Sequence, residues 1–362
     1  MSYRLLRPLL FSLEAERSHD LVLGVLSAIS RHPALCRILT RVYAPPPLPC
    51  TLMGLPCPNP LGLAAGLDKQ ARAAPALAAL GFGYLELGTV TPRPQAGNPR
   101  PRMFRLIEDE AIVNRMGFNS VGLDAFLANR RRHAVPCPVG INIGKNADTP
   151  VARAVDDYVL AFERAAAFAD YIAVNISSPN TPQLRSLQTG DALDELLSAL
   201  KAAQARLALN LGRRVPLAVK IAPDLDDAAA DAMAERLLQH QVDGVIATNT
   251  TVQRPDSLRS GQAHESGGLS GRPLRAQAQT MTARLYRDLA GHIPIIGVGG
   301  ISNASDAVER IRAGADAVQI YTAFIYRGPA LIGKIVRGLA EFTGAGQSAN
   351  FNHARQTMRI TR

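Results

Sequence analysis

The sequence predicts a closed α/β barrel of eight strand–helix units, a (β/α)8 TIM barrel, preceded by an N-terminal amphipathic helical extension. Three observations predict it. Eight short runs rich in apolar and β-branched residues recur along the chain, longer helical patterns separate them, and Gly62-Leu63-Ala64-Ala65-Gly66 stands where an open doubly wound sheet would carry a G-x-G-x-x-G turn. Regular alternation of strand and helix implies a parallel sheet, and eight strands close one. At 362 residues the chain is long enough for such a barrel with an appendage.

Taken in order, the first element is helical. From Tyr3 to Tyr43 apolar residues recur at helical spacing (Leu6, Leu9, Leu10 and Leu13; Leu21, Val22, Val25, Leu26 and Ile29; Leu35, Ile38, Leu39 and Val42), which predicts two or three short helices. Their polar faces carry Arg4, Arg7, Arg17, Arg31, Arg37 and Arg41 against Glu14, Glu16 and Asp20. A basic amphipathic segment of this kind either lies in a bilayer interface or packs on the protein's own surface. Pro45-Pro46-Pro47 and Pro49 then end the helical pattern. The expected organisation is a helical segment over residues 1–44, a barrel over 45–341, and a tail over 342–362 that lacks periodicity and is expected to be disordered. The eight expected strands are Gly62 to Ala65, Tyr84 to Gly88, Val139 to Ile143, Tyr171 to Ile176, Leu217 to Ile221, Gly244 to Thr248, Ile293 to Val298 and Ala317 to Tyr321.

Composition narrows the function classes. With 47% hydrophobic and 19% charged residues the chain reads as globular. Its four cysteines show no C-x-x-C spacing and its seven histidines no zinc-like cluster, so neither a disulfide framework nor a metal is expected. No export signal is evident, and no apolar run reaches the roughly 18 residues a spanning helix needs, so a reducing cytoplasmic location without membrane crossing is expected. The net charge of +10 suits an anionic substrate or membrane surface; nucleic acid is disfavoured because no basic block is interleaved with aromatics and Trp is absent. Only five of the 40 basic residues are lysine, so Lys69 and Lys220, both near expected strand ends, stand out.

In a barrel the chemistry gathers at the carboxyl ends of the strands. Those ends bring Lys69, Thr89, Asn142, Asn175, Lys220, Thr248 with Asn249, Gly299-Gly300 and Tyr321. Buried amides and ammonium groups cost free energy unless paired, and a polar ligand pairs them economically. The runs Ile296 to Ile301 and Val318 to Thr322 look like the phosphate site of strands seven and eight, where glycines expose backbone N–H groups. That device identifies a phosphate and not its carrier. Lys220 could face the N1 and O2 edge of a flavin ring, where charge tunes the ring's electronics, or could form a structural ion pair.

Leu63-Ala64-Ala65-Gly66-Leu67-Asp68-Lys69, Gly88 to Pro92, Asn114 to Asn119, Gly140 to Lys145, Asn175-Ile176-Ser177-Ser178-Pro179-Asn180-Thr181 and Ala247 to Thr251 together resemble the FMN-dependent dihydroorotate dehydrogenases, in order from the first turn to about Gly338. The resemblance implies FMN contacts from Ala65, Gly66, Leu67, Asp68, Lys69, Thr89, Asn142, Asn175, Lys220, Thr248, Gly271, Gly300, Tyr321 and Thr322. It implies dihydroorotate contacts from Lys69, Asn114, Arg115, Met116, Gly117, Phe118, Asn175, Asn180, Asn249 and Thr250. A planar uracil-like ring with a carboxylate does call for several amides and a cation. On its own Ser178 would be a turn or cap residue; in the resemblance it is the base that takes a proton from C5 of dihydroorotate, relayed through Thr181 and water, with Phe118 closing the site.

The family's soluble branch has cysteine at this position and its membrane-bound branch serine, so Ser178 implies a membrane quinone as electron acceptor, reached through the helical extension. His19 and Arg105 are the residues the resemblance places at the quinone site, although a helix histidine and a surface arginine need no such role. Gln183 departs from the glycine expected in relatives. The reading is therefore a peripheral enzyme on the cytoplasmic face of a bacterial inner membrane that oxidises (S)-dihydroorotate in UMP biosynthesis. The alternatives are a soluble fumarate- or NAD-dependent dihydroorotate dehydrogenase, a non-redox phosphosugar enzyme on the same barrel, and a non-catalytic peripheral membrane protein.

Overall fold

A computed structural model describes residues 3–344 and 351–352. Eight parallel strands close into a barrel: Leu61–Leu63, Tyr84–Val90, Val139–Ile143, Tyr171–Asn175, Leu217–Ile221, Gly244–Ala247, Ile295–Val298 and Ala317–Ile320. Neighbours in the barrel are neighbours in sequence, and Val318 pairing with Leu61 closes the ring. Each strand is buried on both faces, which is why it reads as an apolar run rather than an alternation. All eight expected strands are present.

Three helices precede the barrel: α1 (Tyr3–Ser12), α2 (Ala15–Ser30) and α3 (Pro33–Tyr43). The Glu14 side chain caps α2 by accepting from the N–H groups of Glu16 and Arg17, each at 2.9 Å. One face of these helices packs inward through Val22, Leu23, Leu26, Ile29 and Leu39. The other leaves Leu5, Leu9, Leu21, Val25, Ile38 and Val42 at least half exposed. No single helix among the described residues is long and apolar enough to cross a membrane; α2 and α3 pass that test only as a pair bent by 111°.

Two small sheets complete the fold. A hairpin, Cys50–Leu52 with Leu55–Cys57, lies where Met53 meets the start of the sixth barrel strand at Gly244. A three-stranded antiparallel sheet, Met103–Leu106, Ala111–Asn114 and Gly268–Gly271, has its own core of Phe104, Leu106, Ala111, Val113 and Leu269.

The expectation of a disordered tail over 342–362 needs correction where the chain is described. Phe342 and Thr343 belong to the last helix, Ala330–Thr343. Phe351 is fully buried with its N–H on Pro49 O at 3.1 Å, and Asn352 exchanges two hydrogen bonds with the Thr51 backbone. A buried phenylalanine and a strand-edge amide hold this segment although it lacks any periodicity. The rest of the tail lies outside the described residues.

Candidate active site

One cleft opens at the carboxyl ends of the strands, and most of the expected residues line it: Ala65, Gly66, Lys69, Thr89, Asn114, Met116, Gly117, Phe118, Asn175, Ser178, Asn180, Lys220, Thr248, Asn249, Thr250, Gly271, Gly300, Tyr321 and Thr322. Leu67, Asp68, Arg115, Asn142 and Thr181 do not line it. Asp68 instead builds the first turn, accepting from the N–H groups of Gln70, Arg72 and Ala73 at 2.7 to 3.2 Å. Arg115 turns away to pair with Glu265 at 2.7 Å and to cover the Phe104 ring.

A continuous hydrogen-bond network underlies the cleft. Asn142 Oδ1 accepts from Thr89 Oγ1 at 2.5 Å and from Asn175 Nδ2 at 3.3 Å, while Asn142 Nδ2 donates to Glu86 at 2.8 Å. Asn175 Oδ1 in turn accepts from Asn249 Nδ2 at 3.1 Å. At the floor the fully buried Glu86 meets Lys220 Nζ at 3.2 Å, Gln319 Nε2 at 2.8 Å and the Tyr171 hydroxyl at 3.3 Å. Lys220 thus makes the structural ion pair that the sequence allowed, yet it also faces the cleft. One contact at 3.2 Å leaves an ammonium with donors to spare. Gln319 Oε1 is a buried acceptor without a partner.

The loop after the fourth strand holds Ser178 at 6% exposure, its Oγ accepting from Asn180 N at 3.3 Å. Asn180 Nδ2 reaches Asn114 O at 3.0 Å, joining this loop to the small sheet. Arg185 fixes the loop from behind through Ser177 O (3.1 Å), Thr250 O (2.9 Å) and Asp224 (2.7 Å). Thr181 Oγ1 is buried with no protein partner. Gln183 has φ 55°, the left-handed region that glycine occupies at least cost, so its departure from an expected glycine is a departure in strain. The Phe118 ring fills the space over Gly144, where a Cβ would come within 2.8 Å of it.

Charge at the mouth is shaped by burial. Lys69 donates to Asn119 Oδ1 at 2.5 Å. Burial pulls its pKa down to about 7, helped by the Arg102 guanidinium and opposed by Glu16. Gly299 (φ 112°) and Gly300 (φ 72°) form the seventh-strand turn, and a Cβ on Gly300 would sit 2.3 Å from Arg275 Cα. The fully buried Arg310 holds Val298 O at 3.2 Å and Gly299 O at 2.8 Å. Because carbonyl and N–H point oppositely across a planar peptide, the Gly300 N–H is directed away from Arg310.

His19 and Arg105 lie outside this cleft. Burial and the nearby Lys69 draw the His19 pKa down to about 4, so the imidazole is neutral at pH 7. Arg105 donates to carbonyls in the last turn of α1, at Leu10 (3.0 Å) and Phe11 (3.4 Å), and to Leu13 just beyond it, and stacks on the Phe11 ring. An apolar cluster of Met103, Ile112, Met116 and Tyr326 touches Phe11 and Ala15 on one side and lines the cleft on the other.

Glu86, Gln319, Arg185 and Arg310 were not singled out from sequence. Glu86 and Gln319 left a signal there, as polar residues inside strands that are otherwise mostly apolar.

Comparison with known proteins agrees with this arrangement. The dihydroorotate dehydrogenase family profile matches residues 48–343. A Nitrosospira multiformis protein named dihydroorotate dehydrogenase (quinone) is 50% identical over 349 residues, covering 96% of this chain and 98% of its own. One of the same name from Chromobacterium violaceum is 53% identical, covering 95% and 99%. The ligand-free DHODH structure from Eimeria tenella superposes with a TM-score of 0.84 at 41% identity, covering 93% of this chain and 97% of that one. A profile spanning the whole barrel, and relatives half identical almost end to end, establish that the chain belongs to the dihydroorotate dehydrogenase family.

Proposed function

We propose that the protein oxidises (S)-dihydroorotate to orotate in pyrimidine biosynthesis, with FMN accepting the hydride and a membrane quinone accepting the electrons. The observation that carries this is the convergence of Ser178, the amides Asn114, Asn175, Asn180 and Asn249, and Lys69 in the cleft that Lys220 also faces. Enzymes of this family are flavoproteins. FMN fits the residues present: the unpartnered Gln319 Oε1 suits a ring N–H, the spare donors of Lys220 suit ring carbonyl oxygens, and the Gly300 turn suits a phosphate.

Bound FMN supplies the hydride acceptor for C6 of the substrate and a route for electrons to quinone. The chain's own residues do the rest. The four amides match the alternating carbonyl and N–H groups of the substrate ring, and Lys69, when protonated, pairs with its carboxylate. Ser178 takes the proton from C5. A hydroxyl is a weak base, so its own proton must move on, and the unpartnered Thr181 Oγ1 can relay it through one water, receiving one proton as it passes its own on toward solvent. Phe118, at 7% exposure, keeps bulk water from the reacting face.

The acceptor reading rests on Ser178, on relatives named for quinone, and on the apolar cluster running from the cleft to α1 and α2. His19 and Arg105 stand on the two elements flanking that path. Peripheral attachment to the cytoplasmic face of the cell membrane is supported by the helical segment: nine of the 13 exposed large hydrophobic residues among those described lie on or between α1, α2 and α3, alongside Arg4, Arg17, Arg31, Arg37 and Arg41. Steady-state turnover of dihydroorotate with a short-chain quinone, fumarate or NAD tests this. Turnover with quinone alone is expected, and turnover with fumarate or NAD but not quinone would overturn the acceptor.

A further inference from the structure

Glu16 is a carboxylate 3% exposed on a segment otherwise rich in arginine, and the chemistry above gives it no task. Its oxygens meet Arg102 at Nε (3.1 and 3.2 Å) and Nη2 (2.8 Å), and Arg100 at 2.9 Å. Arg102 is 6% exposed and turns its remaining nitrogen to Ala96 O (2.7 Å) and Asn98 O (2.8 Å). One guanidinium therefore joins α2 to residues 96–98.

Those residues lie directly on the loop that follows the strand Ala111–Asn114. Asn98 donates to Arg115 O at 2.8 Å and, from its backbone, to Met116 O at 3.1 Å. Arg115 N donates to Arg102 O at 2.9 Å, and Gln95 Nε2 to Phe118 O at 2.9 Å. A Cβ on Gly97 would come within 2.3 Å of Met116 O, so the two backbones touch. The loop ends at Asn119, whose side chain accepts from Lys69.

We propose that Glu16 is a positioning residue for the substrate loop: through Arg102 and residues 95–98, the docking of α2 on the barrel sets the shape of Asn114 to Asn119. This rests on the assignment of that loop to dihydroorotate. It makes the quinone-side helices and the substrate site one mechanical unit, so that whatever orders α2 also favours substrate binding. Arg102 is a buried cation that needs Glu16, and without it the guanidinium loses the anchor that aims Nη1 at residues 96 and 98.

The test is steady-state kinetics of the full-length holoenzyme with a soluble dye as electron acceptor, which bypasses quinone. Glu16→Gln should raise the KM for dihydroorotate by about tenfold while kcat changes less than about twofold. At about pH 6 or below, where Lys69 keeps its proton and the charges of Glu16 and Arg102 no longer act on KM through it, Arg102→Gln should raise it at least as far, and the double variant no further than Arg102→Gln, because Glu16 reaches the loop through that residue. Thermal unfolding of the same set separates shape from stability. Removing both charges should restore melting temperature relative to Glu16→Gln yet leave KM raised. An unchanged KM in Glu16→Gln, additive KM effects in the double variant, or KM recovering together with stability would each overturn the proposal. A wild-type protein that does not oxidise dihydroorotate would overturn the function itself, and the positioning role with it.

Discussion

Breaking the ion pair at the barrel floor gives an energetic expectation that can be worked from the structure. Lys220→Met leaves Glu86 fully buried with the Asn142, Gln319 and Tyr171 donors but no cation. Removing one partner of such a pair costs about 3–5 kcal/mol. At about 2.1 cal/mol/K of unfolding entropy per residue, a chain of 362 residues changes stability by about 0.8 kcal/mol per degree, so the melting temperature should fall by about 4–7 °C. Adding Glu86→Gln removes the second charge while keeping an acceptor for the neighbouring amides, and most of the loss should return. The assay is scanning calorimetry of flavin-stripped protein, so that ligand linkage does not differ among variants. A double variant as unstable as Lys220→Met would refute the view that the uncompensated charge is the source. Both variants should bind FMN more weakly, since the cation facing the cleft is gone from each.

Ser178→Ala should slow reduction of bound flavin by about 10²–10⁴-fold while FMN remains bound, as expected for loss of a general base; stopped-flow absorbance with dihydroorotate reads it, and an unchanged rate would remove Ser178 from the mechanism. Gly300→Ala places a Cβ against the Arg275 backbone at a φ of 72°, so flavin absorbance per protein should drop sharply, and full retention would contradict the phosphate assignment. Lys69, with its pKa drawn down to about 7, is cationic below that pH and neutral above it. The KM for dihydroorotate should therefore rise as pH passes upward through about 7, and a flat profile across neutrality would refute a carboxylate pair with Lys69.

The barrel was legible because parallel strands covered on both faces are apolar almost throughout, and runs such as Gly244–Ala247 announce that locally. The small sheet over the cleft was not. Its strand Gly268–Gly271 has a glycine at each end and pairs with Ala111–Asn114 more than 150 residues earlier, so no local pattern marks it. Site residues were legible where a strand end carried an amide or lysine. They were missed where the function is to hold another residue: Arg185 and Arg310 work through long-range bonds to backbone carbonyls, which no spacing in sequence encodes. Arg115 and Asp68 were drawn toward the cleft by motif alone, whereas the structure gives their side chains to Glu265 and to a turn.

The central claim is that dihydroorotate and a flavin react in this cleft. The most direct measurement is the visible spectrum of the purified protein under anaerobic conditions, before and after dihydroorotate and then after quinone. The protein is expected to be yellow, to be bleached by dihydroorotate and to regain its colour with quinone. A colourless protein that takes up no added FMN, or a bound flavin that dihydroorotate leaves oxidised, would contradict the claim.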